Sequence, residues 1–278
     1  MNNNNSGVKI GLIGAQNSHS RHFCEVINHS GKKPGYAITQ LYGGDDPAEC
    51  GKLCKEFGIA ESASEEDVIA QCDAIVITYR KGSQHHAAAM KALRAGKPLF
   101  NDKPFSTSLK ETKEIVDYAE ANNILLAGGS SLKSLPDLSK VAAAIRSGSN
   151  VVISFAADTA SEYDGYWFYG IHAVELCVRL CGEDFTSVSA VRNGKMVVSA
   201  VQYDDRHCVI ATSPDSSEIK IMVTNDGRTE TFNVPLNYQS VCPNEFVQML
   251  ETKKPPRGYS HYAKATELLA GIIESAGL

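Results

Sequence analysis

Over the first 128 residues, short runs of apolar and β-branched side chains alternate with longer stretches whose apolar positions recur at helical spacing. The run Val8–Ile13 is apolar apart from Lys9 and Gly11 and predicts a strand. A helix is expected at 20–28, a strand at 37–42, and a helix at 47–57 with Pro47 in its first turn. Ala74-Ile75-Val76-Ile77-Thr78 suits a strand covered on both faces. The alanine-rich run 84–95 predicts a helix that Gly96 stops. A strand at 99–101, a helix at 106–122 capped by Ser106, and a strand at 124–127 complete the series. Such alternation predicts a parallel sheet with helices on both faces.

The pattern changes after Gly128-Gly129-Ser130-Ser131, which reads as a domain boundary. Helices are expected at 138–146 and 169–180, with a strand at 151–156 between them. Five β-like runs follow at 187–191, 197–202, 207–211, 219–223 and 229–234, and helices at 244–250 and 262–275 close the chain. Strands at this spacing predict an α+β domain with an open, mainly antiparallel sheet. The expected division is a disordered polar leader at 1–7, a doubly wound α/β domain at 8–128, and a second domain at 129–278. The terminal helix is placed to pack back on the first domain.

Composition narrows the function classes. A chain of 278 residues suits two ordinary domains. A formal net charge of -5 argues against a nucleic-acid partner. No apolar run approaches the length of a membrane span, so no membrane association is expected. The N-terminus lacks the basic segment and apolar core of a secretion signal, which points to the cytoplasm. The eight cysteines include no CxxC pair and are expected as free, largely buried thiols.

The turn after the first strand carries the first chemical signal. A dinucleotide fingerprint places G-x-G-x-x-G between strand and helix, so that backbone, pyrophosphate and helix approach closely. Here the segment runs Gly11-Leu12-Ile13-Gly14-Ala15-Gln16-Asn17-Ser18-His19. Gln16 and His19 hold the places of the second and third glycines. The context is that of a Rossmann-type dinucleotide-binding domain, with Gly11, Gly14, Gln16, Asn17 and Ser18 as turn candidates. The ribose-binding acid at the end of the second strand is Asp45, unless the register places Gly44 there. The cofactor is NAD or NADP.

Two later segments carry a resemblance. His85-His86-Ala87-Ala88-Ala89-Met90-Lys91-Ala92-Leu93-Arg94-Ala95-Gly96-Lys97-Pro98 leads into Leu99-Phe100-Asn101-Asp102-Lys103-Pro104, and Gly170-Ile171-His172-Ala173-Val174-Glu175 follows later. With the glycine turn, these segments resemble the Gfo/Idh/MocA family of oxidoreductases, in which a helix ending A-L-x-A-G-K precedes E-K-P and a G-x-H-x-x-D/E segment follows. The match runs through most of residues 8–180, and the last helix also looks like the family's. The resemblance implies NAD or NADP in the N-terminal domain and a secondary alcohol or ketone of a sugar or cyclitol as substrate. It implies that Lys103 and His172 belong to the catalytic centre, and that Arg80 and His85 lie beside the cofactor. It also implies a homodimer or homotetramer formed through the C-terminal sheet.

The chemistry suits those residues. Histidine titrates where a general base for alcohol oxidation must. A lysine cation stabilises the developing alkoxide. Pro104 favours extended backbone at Lys103. Two departures stand out. Asp102 replaces the family's Glu, and Phe168 stands where many members carry an Asp four residues before the histidine. Phe168 cannot relay a proton, so Tyr166, Tyr169 or Asp164 would have to contribute, the substrate would differ, or activity would be lost. The aromatic stretch 163–169 is compatible with a sugar-stacking platform or with core. A non-catalytic relative that binds a nucleotide or small ligand as a sensor or interaction protein is the rival reading. His19 and His22 lack a third ligand at diagnostic spacing, and no metal site is expected.

Overall fold

The computed structural model describes residues 7–29, 33–216, 218–235 and 237–278, so the expected leader falls almost entirely outside the described part. The chain runs β1 (Val8–Ile13), α1 (Ser18–Asn28), β2 (Tyr36–Tyr42), α2 (Pro47–Phe57), β3 (Ala60–Glu61), α3 (Glu65–Gln71), β4 (Ala74–Ile77), α4 (His85–Arg94), β5 (Leu99–Asn101), α5 (Leu109–Ala121) and β6 (Leu126–Gly128). It continues with α6 (Leu138–Ala144), β7 (Asn150–Phe155), α7 (Trp167–Cys181), β8 (Ser187–Asn193), β9 (Met196–Gln202), β10 (His207–Thr212), β11 (Ile219–Asn225), β12 (Arg228–Val234), α8 (Val241–Thr252) and α9 (Ser260–Ala276). The described residues form two units. One comprises 1–106, 110–129 and 239–259, and the other 107–109, 130–238 and 260–278.

The first unit is a parallel sheet in the order β3-β2-β1-β4-β5-β6. The order reverses between β1 and β4, and such sheets bind ligands outside the carboxyl ends of the strands at that point. β4 is buried at every position, as its unbroken apolar run requires. Gly11 lies within β1, and a side chain there would begin 2.3 Å from the Val68 side chain. Its bareness therefore admits α3 against the sheet. The sequence pattern did not show α3 and β3. α3 is short, and its start is signalled by Ser64, which accepts from the Asp67 amide, with Glu65, Glu66 and Asp67 in the first turn. α5 starts at Leu109, three residues after the expected cap. The Ser106 hydroxyl instead donates to the Glu111 carboxylate.

The core of this unit is an aromatic triad. Phe23 of α1 lies 5.0 Å from Phe100 of β5, and Phe246 of α8 lies 6.3 and 6.0 Å from the two. Cys242, Val247, Met249 and Leu250 bury the rest of that helix face in the same cluster. The helix that joins the first unit is thus α8, whereas the terminal helix α9 belongs to the second.

The second unit holds a six-stranded sheet in the order β12-β11-β7-β10-β9-β8. Only β7 and β10 pair in parallel; the other neighbours are antiparallel. Burial alternates along β7, β9 and β10, so one face is covered. α7 packs on β7 and β10, and α9 on β8 and α7. Val191, Met196 and Val198 are exposed on β8 and β9. Among the described residues, no helix is long and apolar enough to cross a membrane.

Removing the Phe246 ring leaves a void between Phe23 and Phe100. Phe246→Ala is expected to destabilise the first unit by about 3–5 kcal/mol. Urea unfolding followed by far-ultraviolet circular dichroism measures this, and an unchanged midpoint would show that α8 is not part of the first core.

Candidate functional site

The first unit gathers its chemistry at the carboxyl edge of the parallel sheet. Gly14 leaves β1 with φ +99°, and a Cβ there would lie 2.6 Å from the Tyr79 amide nitrogen. Only glycine is compatible with both the dihedral and the approach. The next two amides, of Ala15 and Gln16, donate to the Asp45 carboxylate at 2.8 and 3.2 Å. Asp45, rather than Gly44, therefore faces the turn. Asn17 caps α1 by accepting from the His19 amide at 3.1 Å, Ser18 is exposed in the first turn, and Gln16 is half-buried. These features fit a dinucleotide. The turn permits close approach, α1 directs its N-terminal dipole at the turn, and the Asp45 oxygens retain lone pairs for ribose hydroxyls.

Asp102 lies directly after β5 with no solvent exposure. His19 Nδ1 is 2.9 Å from both of its oxygens, and Asn17 Nδ2 donates to Oδ2 at 3.0 Å. Burial pushes the Asp102 carboxyl up. The charge and hydrogen bond of His19, together with Lys103 and His85, outweigh burial and hold it below the usual carboxylate range. Lys103 follows in the turn after β5 and is only 3% exposed, and its peptide bond to Pro104 is cis. His85 opens α4 fully buried, with Nε2 2.8 Å from the Tyr79 carbonyl. Burial lowers its pKa, and the Nε2 contact braces the turn between β4 and α4. Arg80 lies half-buried in that turn.

The second unit places His172 on α7, 6% exposed. Its Nδ1 lies 2.6 Å from the Ser130 hydroxyl, and its ring stands 5.5 Å from Phe155 and 5.8 Å from Tyr169. In the tautomer whose Nδ1–H donates to Ser130, Nε2 keeps the lone pair that a base requires; in the other, the Ser130 hydroxyl donates to Nδ1. Ser130 is fully engaged. Its amide donates to Glu175 Oε1 at 2.9 Å, its carbonyl accepts from Lys133 Nζ at 2.9 Å, and its hydroxyl also accepts from the Leu132 amide at 3.2 Å. Glu175, one helical turn beyond His172, pairs with Lys133 at 2.6 Å and faces His261 at 3.7 Å. Burial pushes its carboxyl up, but Lys133 and His261 bring it down to about 2.

The aromatic stretch divides. Tyr166 is buried, with its hydroxyl 2.9 Å from Thr212 Oγ1 on β10. Phe168 is buried between Tyr163 and Tyr169, at 5.0 and 4.6 Å. Tyr169 is 42% exposed, and Asp164 is half-buried with φ +65°. Sequence reasoning did not anticipate Ser130, Lys133 or the His19–Asp102 pair. Glu175 lay within the recognised segment, but its partner, three residues past Ser130, carries no motif.

Glu175 ionises in the folded chain at a lower pH than the ordinary 4.5, so its stabilisation is complete above 4.5 and lost as pH falls toward about 2. Glu175→Gln is expected to flatten this acid limb while costing about 3–5 kcal/mol at neutral pH, because Lys133 is left buried without its counter-charge. Urea midpoints across that pH range decide it. An unaltered acid slope would show that Glu175 is not the group responsible.

An oxidoreductase family model with an NAD-binding Rossmann fold, GFO_IDH_MocA, matches residues 8–129. An uncharacterized oxidoreductase of Streptococcus pneumoniae is 30% identical over 125 residues, which is 44% of this chain and 32% of that protein. The match spans about a third of the relative's length. GenD2 of gentamicin A biosynthesis, solved with NAD, has a TM-score of 0.84 at 14% identity, covering 98% of this chain and 95% of its own. UDP-N-acetylglucosamine 3-dehydrogenase of Acidithiobacillus ferrooxidans has a TM-score of 0.79 at 15% identity, covering 97% and 98%. A 3-ketoreductase of Actinomadura kijaniata, solved with NADP and TDP-benzene, has a TM-score of 0.78 at 14% identity, covering 97% and 98%. At these identities the structures share the fold across nearly the whole chain. Residues 8–129 are thus similar to the NAD-binding Rossmann domain of that oxidoreductase family.

Proposed function

We propose that this protein is an NAD(P)-dependent oxidoreductase acting on a secondary alcohol, or the matching ketone, of a sugar, cyclitol or related small molecule. The observation that carries the reading is Lys103, a lysine 3% exposed at the carboxyl edge of the parallel sheet. Buried lysines are rare unless their charge is used or paired. A bound nicotinamide supplies or accepts the hydride. Lys103 holds the developing alkoxide by its charge. His172, oriented by Ser130, takes the hydroxyl proton in oxidation and returns it in reduction. Gly14, Gln16, Asn17, Ser18 and Asp45 hold the cofactor, with Arg80 and His85 beside them and Gly11 supporting the turn from within the sheet. Tyr169 offers the exposed ring for a sugar face, and Asp164 a carboxylate for its hydroxyls. Tyr166 supports these from the core. The reading includes a cytoplasmic enzyme that pairs with itself through the second sheet, where Val191, Met196 and Val198 are exposed.

One observation favours the rival reading of a non-catalytic binder. The Asp45 carboxylate takes the two turn amides that a pyrophosphate would use. Titration with NADH and NADPH, followed by a screen of polyols and sugars, separates the two. The enzyme reading expects binding and turnover, with Lys103→Ala lowering kcat by about 10²–10³-fold at unchanged nucleotide affinity. No nucleotide binding at millimolar concentration would sink it. Binding without turnover, indifferent to Lys103→Ala, would leave the sensor reading.

A further inference from the structure

Away from these residues, the second unit contains a group of thiols to which the hydride chemistry assigns no role. Cys177 and Cys181 lie one turn apart on α7, and Cys208 lies on β10 beneath them. Their sulfur atoms all lie within 4.8 Å of one another, and the three residues are 0%, 1% and 0% exposed. The Tyr203 hydroxyl is 3.6 Å from Cys177 Sγ and donates to the Gly182 carbonyl at 3.2 Å, so its oxygen is left to accept on the thiol side. Arg206 closes the rim. Its Nε donates to the Cys181 carbonyl at 2.8 Å, and its guanidinium lies 5.2 Å from the Tyr203 ring and reaches Asp184 and Asp205.

We propose that Cys177, Cys181 and Cys208, with the Tyr203 oxygen in the fourth position, form a structural site for a divalent thiophilic d¹⁰ cation of the zinc type. The geometry agrees with the dimensions of such a site. A tetrahedron with metal–sulfur bonds of about 2.3 Å has sulfur–sulfur edges of about 3.8 Å, and a sulfur–oxygen edge of about 3.5 Å when the oxygen sits at about 2.0 Å. The sulfurs, within 4.8 Å of one another, draw in by up to about 1 Å to reach it, and the 3.6 Å contact between Cys177 Sγ and the Tyr203 oxygen already matches the sulfur–oxygen edge. Sulfur ligands select soft ions over magnesium or calcium. The absence of solvent favours a divalent ion, because it cancels two of three thiolate charges where a monovalent ion cancels one. Binding releases the thiol protons to solvent. The site would tie the C-terminal half of α7, the helix that carries His172, to β10.

Because the thiols are buried, the ion enters as the chain folds. The test therefore unfolds the full-length protein with chelator and refolds it with one equivalent of Zn²⁺ or Cd²⁺. The expected result is about one ion per chain surviving desalting, a sulfur-to-cadmium charge-transfer band, and a zinc X-ray absorption shell of three sulfurs at about 2.3 Å. Cys208→Ala and Cys181→Ser should each lose the ion, and Cys50→Ala should keep it, with circular dichroism confirming that each variant folds. No retained ion in the wild type, or a shell of nitrogen and oxygen alone, overturns the proposal. So does retention undiminished by Cys208→Ala. The absorption measurement uses the unaltered chain and stands even where a variant fails to fold.

Discussion

A carboxylate without solvent has to be surrounded by donors, and Asp102 meets that requirement by reaching across from the end of β5 to the start of α1. His19 and Asn17 supply the donors. The glycine turn after β1 and the lysine turn after β5 are thereby joined through one buried charge. The sequence departs from the pattern of the family it resembles at both ends of this link, with histidine where the fingerprint has glycine and aspartate where that pattern has glutamate. Read singly, the histidine looks like erosion of the turn. In the fold, the two departures are partners.

The second unit is organised around a residue with no reactive chemistry of its own. Ser130 uses its amide, carbonyl and hydroxyl to hold Glu175, Lys133 and His172 in register. A backbone segment that reads as a linker thus serves as the template for the histidine. The buried Lys133–Glu175 pair is costly to desolvate, and both partners also bond the Ser130 backbone whose hydroxyl meets the His172 ring.

Most of the strand framework was legible in the chain because β-branched runs bounded by turn residues have few alternatives. The parallel sheet, the antiparallel strands and the glycine turn all came from such local signals. Ser106 misled because serine before a helical run is a common cap, and its hydroxyl instead found Glu111. α3 escaped because seven residues carry too short a period to stand out. The His19–Asp102 pair joins residues 83 positions apart, and nothing local to either announces the other. The cysteines at 177 and 181 share a helical spacing, but the third comes from a strand, so only the fold assembles them.

The return of α8 to the first sheet has a consequence for synthesis. Residues 239–259 complete a core begun more than two hundred residues earlier. While the ribosome is still making the second unit, the apolar face around Phe23 and Phe100 waits without its cover. Folding on emergence, which usually lets an N-terminal domain finish first, is denied to this one. The first unit can therefore close its core over Phe23 and Phe100 only once residues 239–259 are available.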